Sequence, residues 1–338
     1  MSISGVAREA GVSPSTVSRF LRGQLRLSGA TEDRIRAAMQ ATGYSAPRRE
    51  ILHLGLVIPE LSNPYFAQLT QALTDAAHHR DLEVSVFVSD GREDRERRIV
   101  AHCAQDGDAG LDALVFVSMT GSSAVLEEVP RSLPFVVLDE RLDGEVARGM
   151  SFVGAESFEG GYQATTFLLS RGHRRIAHVA GPGRLGSARE RLRGYLRALR
   201  DAGVEPDPRL VLEGPYSESF GASALSQILR LEDSPTAVFA ASDVVAVGMA
   251  AAAPMHGVRI PDDLSVIGFD GIEQASWVTP RLSTVVQPFG ELARSALDEI
   301  EALSGGAEPR ARVLPMELRI AESVAGPRAA ESDEARHR

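Results

Sequence analysis

Lysine is absent from this chain, so all 36 basic side chains are arginines, a bias that carries little functional weight. Cysteine occurs once, at Cys103, which excludes an internal disulfide and a cysteine-based zinc site and leaves a buried or idle thiol. No uncharged apolar run reaches the roughly 18 residues of a membrane span, so no membrane partner is expected. Arg8 and Glu9 stand where a secretory signal needs an unbroken apolar core, and the expected compartment is the cytoplasm. Histidines do not converge on a metal: His78 and His79 are adjacent, and His173 and His178 share one loop-to-strand segment, so they read as surface or core residues. No nucleophile with a matched base is evident. Neither an enzymatic reaction nor a cofactor is expected.

What is present is an uneven distribution of charge. The whole chain carries −10, which taken alone argues against a nucleic-acid partner. Residues 1–49, however, hold eight arginines against Glu9, Glu32 and Asp33, a net +5, so the remaining 289 residues carry −15. A compact basic head on an acidic body confines any phosphate-seeking surface to one end. With 338 residues, 43% of them hydrophobic and 24% charged, the chain reads as soluble and globular, with two or three domains.

Residues 3–22 split at Gly11-Val12-Ser13 into two short amphipathic pieces. The second opens with Ser13, a side-chain acceptor for free backbone N–H groups, and Pro14, whose fixed φ suits a first helical position. Val6 and Ala10 share one face of the first piece; Val17 and Leu21, with Phe20 beside them, share one face of the second. Ser15, Thr16, Ser18, Arg19 and Arg22 are left outside, where hydroxyls and guanidiniums can meet phosphates and base edges. The pattern is that of a helix-turn-helix. A third helix is expected from a cap at Ser28, through Ile35, Ala38 and Met39, to a left-handed stop at Gly43.

The head is assigned to residues 1–46 and a short linker to 47–53. From Leu54 apolar runs alternate with amphipathic helices. Strands are expected at 54–59, 84–88, 113–117, 135–138, near Phe152, and at 176–180, 210–213, 237–240 and 265–269. Helices are expected at 65–80, 93–105, 160–170, 188–202, 221–229 and 244–253. Near-continuously apolar strands alternating with helices imply parallel sheets covered on both faces, and two such series imply two lobes. Ligands in such sheets bind beyond the carboxyl ends of the strands, where Asp139, Tyr216, Ser242-Asp243 and Asp270 fall. Carboxylates that accept from hydroxyls, an Arg that donates and a ring that stacks on a C–H face suit a polyhydroxylated ligand. Each residue alone could equally cap a turn.

The head, VAREAGVSPSTVSRFLRG with LSGATEDRI and GY, resembles the LacI family of bacterial transcription regulators. The body, with LGLVIPELSNPYF, FEGGYQAT, LLSRGHRRIAHVAGP, RERLRGY, PTAVFAASDVVAVG, LSVIGFDGIE and TPRLSTVVQP, resembles that family's periplasmic-binding-protein-like effector domain. The resemblance runs from about residue 2 to 325. It implies an α/β fold: a small all-α head, then two lobes with parallel sheets, one about 54–154 and 287–314, the other about 155–286 and 315–325. A disordered tail at 326–338 completes the expected layout.

The resemblance further implies a homodimer that binds double-stranded operator DNA and a small sugar or sugar-like effector held between the lobes, which alters operator affinity. Ser15 and Arg19 match base-reading positions, an Arg being shaped for guanine O6 and N7. Ser13, Thr16, Ser18, Ser28, Thr31 and Tyr44 match phosphate-contact positions, and Pro14 offers only apolar contact where members often read a base. Effector positions are matched by Tyr65, Phe66, Asp139, Ser187, Arg191, Tyr216, Ser242, Asp270 and Gln287.

Several residues depart from the family pattern. Only ten residues separate Tyr44 from Gly55, too few for the usual hinge helix and its minor-groove wedge, leaving Leu52 as a remnant. Ala155-Glu156 replaces a common Asp-Asn, Ser242 a common Asn, and Ala321 a frequent Arg. The tail lacks the Leu heptads of a tetramerising zipper. A nucleoside or purine effector is an alternative to a sugar. Gly181-Pro182-Gly183-Arg184-Leu185-Gly186 is a literal G-x-G-x-x-G, and Glu213 closes the next strand, as in an NAD-dependent enzyme. Its mid-chain place and Pro182 favour instead a loop leading to Arg191. A sugar-binding protein of a transporter would share the body, but the basic head and missing export signal argue against it.

Overall fold

The structure is a computed structural model describing residues 2–21, 25, 27–44, 51–104, 110–130 and 132–328. Arg22, linker residues 47–50 and the tail beyond Arg328 lie outside the described residues.

Three helices make the head: α1 (Ile3–Ala10), α2 (Pro14–Leu21) and α3 (Gly29–Thr42). Ser2 caps α1 by accepting from the Gly5 amide, and Gly11 ends it at φ 66°. Glycine pays no Cβ penalty in that left-handed conformation, which turns the chain toward α2. Val6, Ala7, Ala10, Val17, Phe20, Ile35 and Ala38 form the core, with Leu21, Met39 and Tyr44 packed against it. Each large side chain buried there is worth about 1.5–3 kcal/mol, and so small a head has few of them. Gly43 ends α3 at φ 61° as expected. Ser28 occupies the N-cap position, but its hydroxyl bonds no helix amide and pairs instead with Thr31 Oγ1 at 3.0 Å.

The described residues divide into two compact units. The first comprises Met1–Glu60, Thr70–Gly154 and Gly290–Arg312; the second comprises Leu61–Leu69, Ala155–Phe289 and Val313–Arg338. Strands β1 (His53–Ile58), β2 (Glu83–Val88), β3 (Ala113–Phe116), β4 (Phe135–Leu138), β5 (Ser151–Ala155) and β11 (Ala311–Leu314) form one sheet, in the order β11-β5-β4-β3-β1-β2. Helices α4 (Pro64–His78), α5 (Glu93–Cys103) and α10 (Phe289–Ser304) alternate with its strands in the chain.

The second sheet has the order β12-β10-β9-β8-β6-β7, from β6 (Ile176–Ala180), β7 (Val211–Glu213), β8 (Ala237–Ala240), β9 (Ser265–Asp270), β10 (Ser283–Val286) and β12 (Glu317–Arg319). It alternates in the chain with α6 (Ser157–Ser170), α7 (Gly186–Asp201), α8 (Glu218–Ile228) and α9 (Asp243–Ala252). The β10–β12 pair is antiparallel, while β6–β7, β6–β8, β8–β9 and β9–β10 are parallel. Parallel strands buried on both faces explain their unbroken apolar runs.

Strands 135–138, 176–180 and 237–240 have the expected bounds, and other ends differ by one to three residues. At α8 a cap sets the start ahead of the apolar pattern: Ser217 accepts from the Phe220 amide at 3.2 Å and begins the helix before Gly221. Linker assignment 47–53 needs correction at its end. His53 opens β1, Asp112 accepts from the Leu52 and His53 amides at 2.9 and 3.1 Å, and Leu52 accepts from the Glu83 amide at 2.8 Å. These two residues are tied to the start of β1, an inner strand between β2 and β3, so Leu52 is poorly placed as a wedge remnant. At the tail, Arg328 pairs with Asp263 at 2.9 Å. Cys103 is buried, which pushes its thiol up to about 11.

Candidate functional site

The exposed end of α2 gathers three hydroxyls. Ser13 Oγ accepts from the Thr16 amide at 3.0 Å and lies 2.8 Å from Ser15 Oγ and 2.7 Å from Thr16 Oγ1. Pro14 brings no N–H and the Thr16 amide is already held by Ser13, so the exposed hydroxyls are what this helix start offers to a phosphate. Pro14 and Arg19 are exposed, and Ser18 is half-buried along the same helix. At the start of α3, Ser28 and Thr31 form a second hydroxyl pair, with Arg34 Nη2 donating to Thr31 Oγ1 at 3.4 Å. Tyr44 packs against the head core, and Arg22 lies outside the described residues.

In the second unit the carboxyl ends of β8, β9 and β10 converge on Asp270. Ser242 Oγ donates to Asp270 Oδ2 at 2.9 Å, and Gln287 Nε2 donates to Asp270 Oδ1 at 3.1 Å. Arg191 comes from α7: its Nη1 donates to the Ala241 carbonyl at 2.6 Å and lies 3.6 Å from Asp270 Oδ1. The guanidinium lies 3.8 Å from the Phe269 ring centroid and 5.8 Å from that of Tyr216. Stacking fixes a planar cation that would otherwise lose much side-chain entropy on ordering. All four polar side chains are buried.

Arg191 is held there by a close helix crossing. A Cβ at Gly161 of α6 would lie 2.4 Å from the Arg191 carbonyl oxygen, and one at Gly194 of α7 would lie 2.2 Å from that of Phe158. Ser187, one turn before Arg191, is half-buried in the first turn of α7. Tyr65 and Phe66 meet edge-on at 5.1 Å, and Tyr65 lies 5.4 Å from Phe289. Asp139 belongs to the first unit, half-buried just after β4.

Burial sets the electrostatics. It pushes the Asp270 carboxyl above the usual range, opposed by Arg191. Asp243, fully buried at the start of α9, is pushed up to about 8 by desolvation and by the charge of Asp270. Its Oδ2 accepts from the Gly271 and Ile272 amides at 2.7 and 3.0 Å, anchoring the turn after Asp270. His178 stacks between Tyr195 and Phe239 with centroids 5.0 and 4.6 Å away, and burial lowers it to about 4. His173 is likewise buried, within bonding distance of Thr236 and the Ala325 carbonyl. Both are core histidines.

The glycine loop serves the protein's own side chains. A Cβ at Gly181 would lie 2.1 Å from Tyr216 Oη, so glycine there makes room for the ring. Glu213 Oε1 accepts from the Gly183 amide at 2.7 Å, which occupies both the amide a pyrophosphate would need and the acid a ribose would need. Two contributors went unassigned from sequence alone, Phe269 and Phe289, while Asp243 stood out only as a strand-end residue beside Ser242. Phe269 precedes Asp270 in the chain, and that adjacency was its one signal.

A three-helix head with exposed hydroxyls at two helix starts, joined to sheets whose strand ends hold a buried polar cluster, is the layout of a ligand-sensing DNA-binding regulator. Known proteins agree. Residues 2–46 match the bacterial regulatory proteins, lacI family, and residues 165–324 match the periplasmic binding protein-like domain. The chain is 30% identical over 308 residues to the HTH-type transcriptional repressor CytR of Escherichia coli (strain K12), covering 86% of each. Among solved structures it is similar to the transcriptional regulator CelR–cellobiose complex, with TM-score 0.73, 28% identity, and 96% and 99% coverage of the two chains. It is also similar to the lac repressor dimer bound to operator and the anti-inducer ONPF, with TM-score 0.71, 26% identity, and 96% and 99% coverage. The chain belongs to the lacI family of bacterial regulatory proteins, as a ligand-responsive DNA-binding repressor. Regulators of this family are not enzymes, which removes the NAD-dependent reading. No helix among the described residues is long and apolar enough to cross a membrane.

Proposed function

We propose that the chain is a cytoplasmic homodimeric repressor of sugar-uptake or catabolic genes, with α2 entering the major groove of a pseudo-palindromic operator. In this reading Ser15 and Arg19 read bases, while Ser13, Thr16, Ser18, Ser28, Thr31 and Tyr44 hold phosphates. The effector is a sugar or sugar-like molecule seated on the strand ends of the second unit, against Arg191, Ser242, Asp270 and Gln287. Tyr65, Phe66, Ser187 and Tyr216 complete that set, and Asp139 of the first unit is assigned by resemblance alone.

One observation carries the reading: Asp270 is buried, yet held by Ser242 and Gln287 beside a stacked Arg191. A buried carboxylate with such support is prearranged to accept hydroxyl protons. The cellobiose complex of CelR is a sugar complex of a similar chain. The effector acts by binding one of two states more tightly, and operator affinity shifts by that difference.

Fluorescence anisotropy of labelled promoter DNA, titrated with the full chain in the presence of single sugars, tests the proposal. At least one sugar is expected to change operator affinity for the natural chain and to leave Asp270→Ala unchanged. An equal shift in both proteins would remove the cluster from the effector site.

A further inference from the structure

A serine alone does not commit to a base, because its hydroxyl donates or accepts as the partner requires. At the start of α2 that freedom is removed. Ser13 Oγ has one proton and two lone pairs, and it faces the Thr16 amide at 3.0 Å, Thr16 Oγ1 at 2.7 Å and Ser15 Oγ at 2.8 Å. The amide fills one lone pair. Of the two hydroxyls, one therefore gives its proton to Ser13 and the other receives the proton of Ser13. Ser15 is exposed one turn before Arg19, on the same face of α2, while Thr16 is half-buried.

Resting on the reading of α2 as the groove-entering helix with Thr16 on a phosphate, we infer that Ser15 is a specificity-determining residue that reads an exocyclic amino group, with Ser13 as the positioning residue that commits it. A phosphate oxygen only accepts, so Thr16 keeps its own proton for the phosphate and takes that of Ser13. Ser13 in turn takes the proton of Ser15. Donation runs from Ser15 through Ser13 and Thr16 to the phosphate, each bond polarising the next, and leaves Ser15 with lone pairs alone for the groove. At a given place across the major-groove edge, A·T and C·G present an amino hydrogen where T·A and G·C present a carbonyl oxygen. Ser15 accepts from the first two and sets oxygen against oxygen with the others. It sorts base pairs into two classes and does not separate the members of either. Arg19, which only donates, demands acceptors instead.

Selection of operators by the full-length protein from a library of randomised DNA duplexes tests this. One base pair in each half-site is expected to take adenine or cytosine on one strand and to reject guanine or thymine there, the exchange weakening binding about tenfold. Ser15→Ala is expected to lose that preference and no other. The selected base is then replaced by its analogue without the amino group, purine for adenine or 2-pyrimidinone for cytosine. The natural chain is expected to bind the analogue about tenfold more weakly, and Ser15→Ala to bind parent and analogue alike. Ser13→Ala supplies a readout that loss of a helix cap would not move. Ser15 there recovers both hydrogen-bonding roles, so discrimination shrinks at this one base pair and persists elsewhere. Circular dichroism verifies the helices, and if Ser13→Ala does not fold, Thr16→Val, which removes the acceptor of the Ser13 proton, carries the same comparison. A guanine or thymine preferred at that position, no position at which Ser15→Ala changes the preference, or discrimination untouched in the Ser13 and Thr16 variants overturns the amino-group inference and leaves α2 as the reading helix. A natural chain that enriches no sequence overturns both.

Discussion

Asp139 and Asp270 occupy matching places in the two sheets, each at the carboxyl end of the strand third in its sheet order, and both have positive φ, 70° and 114°. A side chain at φ 114° lies outside the left-handed basin that Asp tolerates, so the backbone there is strained. Strain of this kind collects at ligand sites and costs of order 1–3 kcal/mol. At Asp270 the neighbouring turn is held by Asp243, and the side chain by Ser242 and Gln287.

Asp270→Asn keeps the shape and removes the charge that faces Arg191. Breaking one side of a buried pair is expensive, so urea unfolding is expected to show about 2–4 kcal/mol of lost stability. Loss of effector response by at least tenfold should accompany it, read as operator affinity with and without sugar.

Gly194→Ala adds a methyl 2.2 Å from the Phe158 carbonyl oxygen, where only backbone can give way. Forcing α6 and α7 apart is expected to cost about 1–3 kcal/mol and to weaken ligand binding through Arg191. A melting temperature equal to that of the natural chain would show that the crossing is not tight.

Stability should depend on pH in an unusual way. Asp243 at about 8 keeps its proton in the folded chain but not in the unfolded chain, so its contribution is full at low pH and falls as pH rises to 8. His178 at about 4 acts oppositely, losing stability as pH falls from about 6.5 to 4. The two slopes offset below about pH 6.5, and above it Asp243 acts without that offset, at about 1.4 kcal/mol per pH unit. Urea midpoints are therefore expected to fall between about pH 6.5 and 8. In Asp243→Asn that fall should shrink or vanish.

Arg19 is exposed on α2. Arg19→Ala should leave the helical circular dichroism unchanged and weaken operator binding about 10- to 100-fold, with the discrimination lost at a single base pair. Uniform weakening on every sequence would reassign Arg19 to a phosphate.

How much of this was legible in the sequence depended on distance along the chain. The head was readable because caps, Pro14 and the apolar period are local signals. Strands 135–138 and 176–180 were readable as apolar runs because both faces are buried. The strand and helix assignments ended at Phe269 and so missed β10, α10, β11 and β12, although Leu292, Ala296 and Ile300 mark the buried face of α10 at helical spacing. Asp270 and Ser242 stood out as strand-end residues, but the bonds that join Asp270 to Ser242 and to Gln287 span 28 and 17 residues and have no local trace. Arg191 and Gln287 came from the family resemblance. Glu96 shows the opposite limit: within the charged run EDRERR it reads as solvated, yet it is fully buried and accepts from Ser118 and Thr120.

Asp112, by anchoring Leu52 and His53, also sets the length of a leash. Between Tyr44, packed into the head, and Ile51 lie six residues, which span roughly 20 Å at full extension. In the proposed dimer that upper bound limits how far apart the two heads can bind. One base pair inserted between operator half-sites turns the second half by roughly 35° and moves it along the axis. The protein would then measure its operator as well as read it, rejecting sites of correct sequence and wrong spacing.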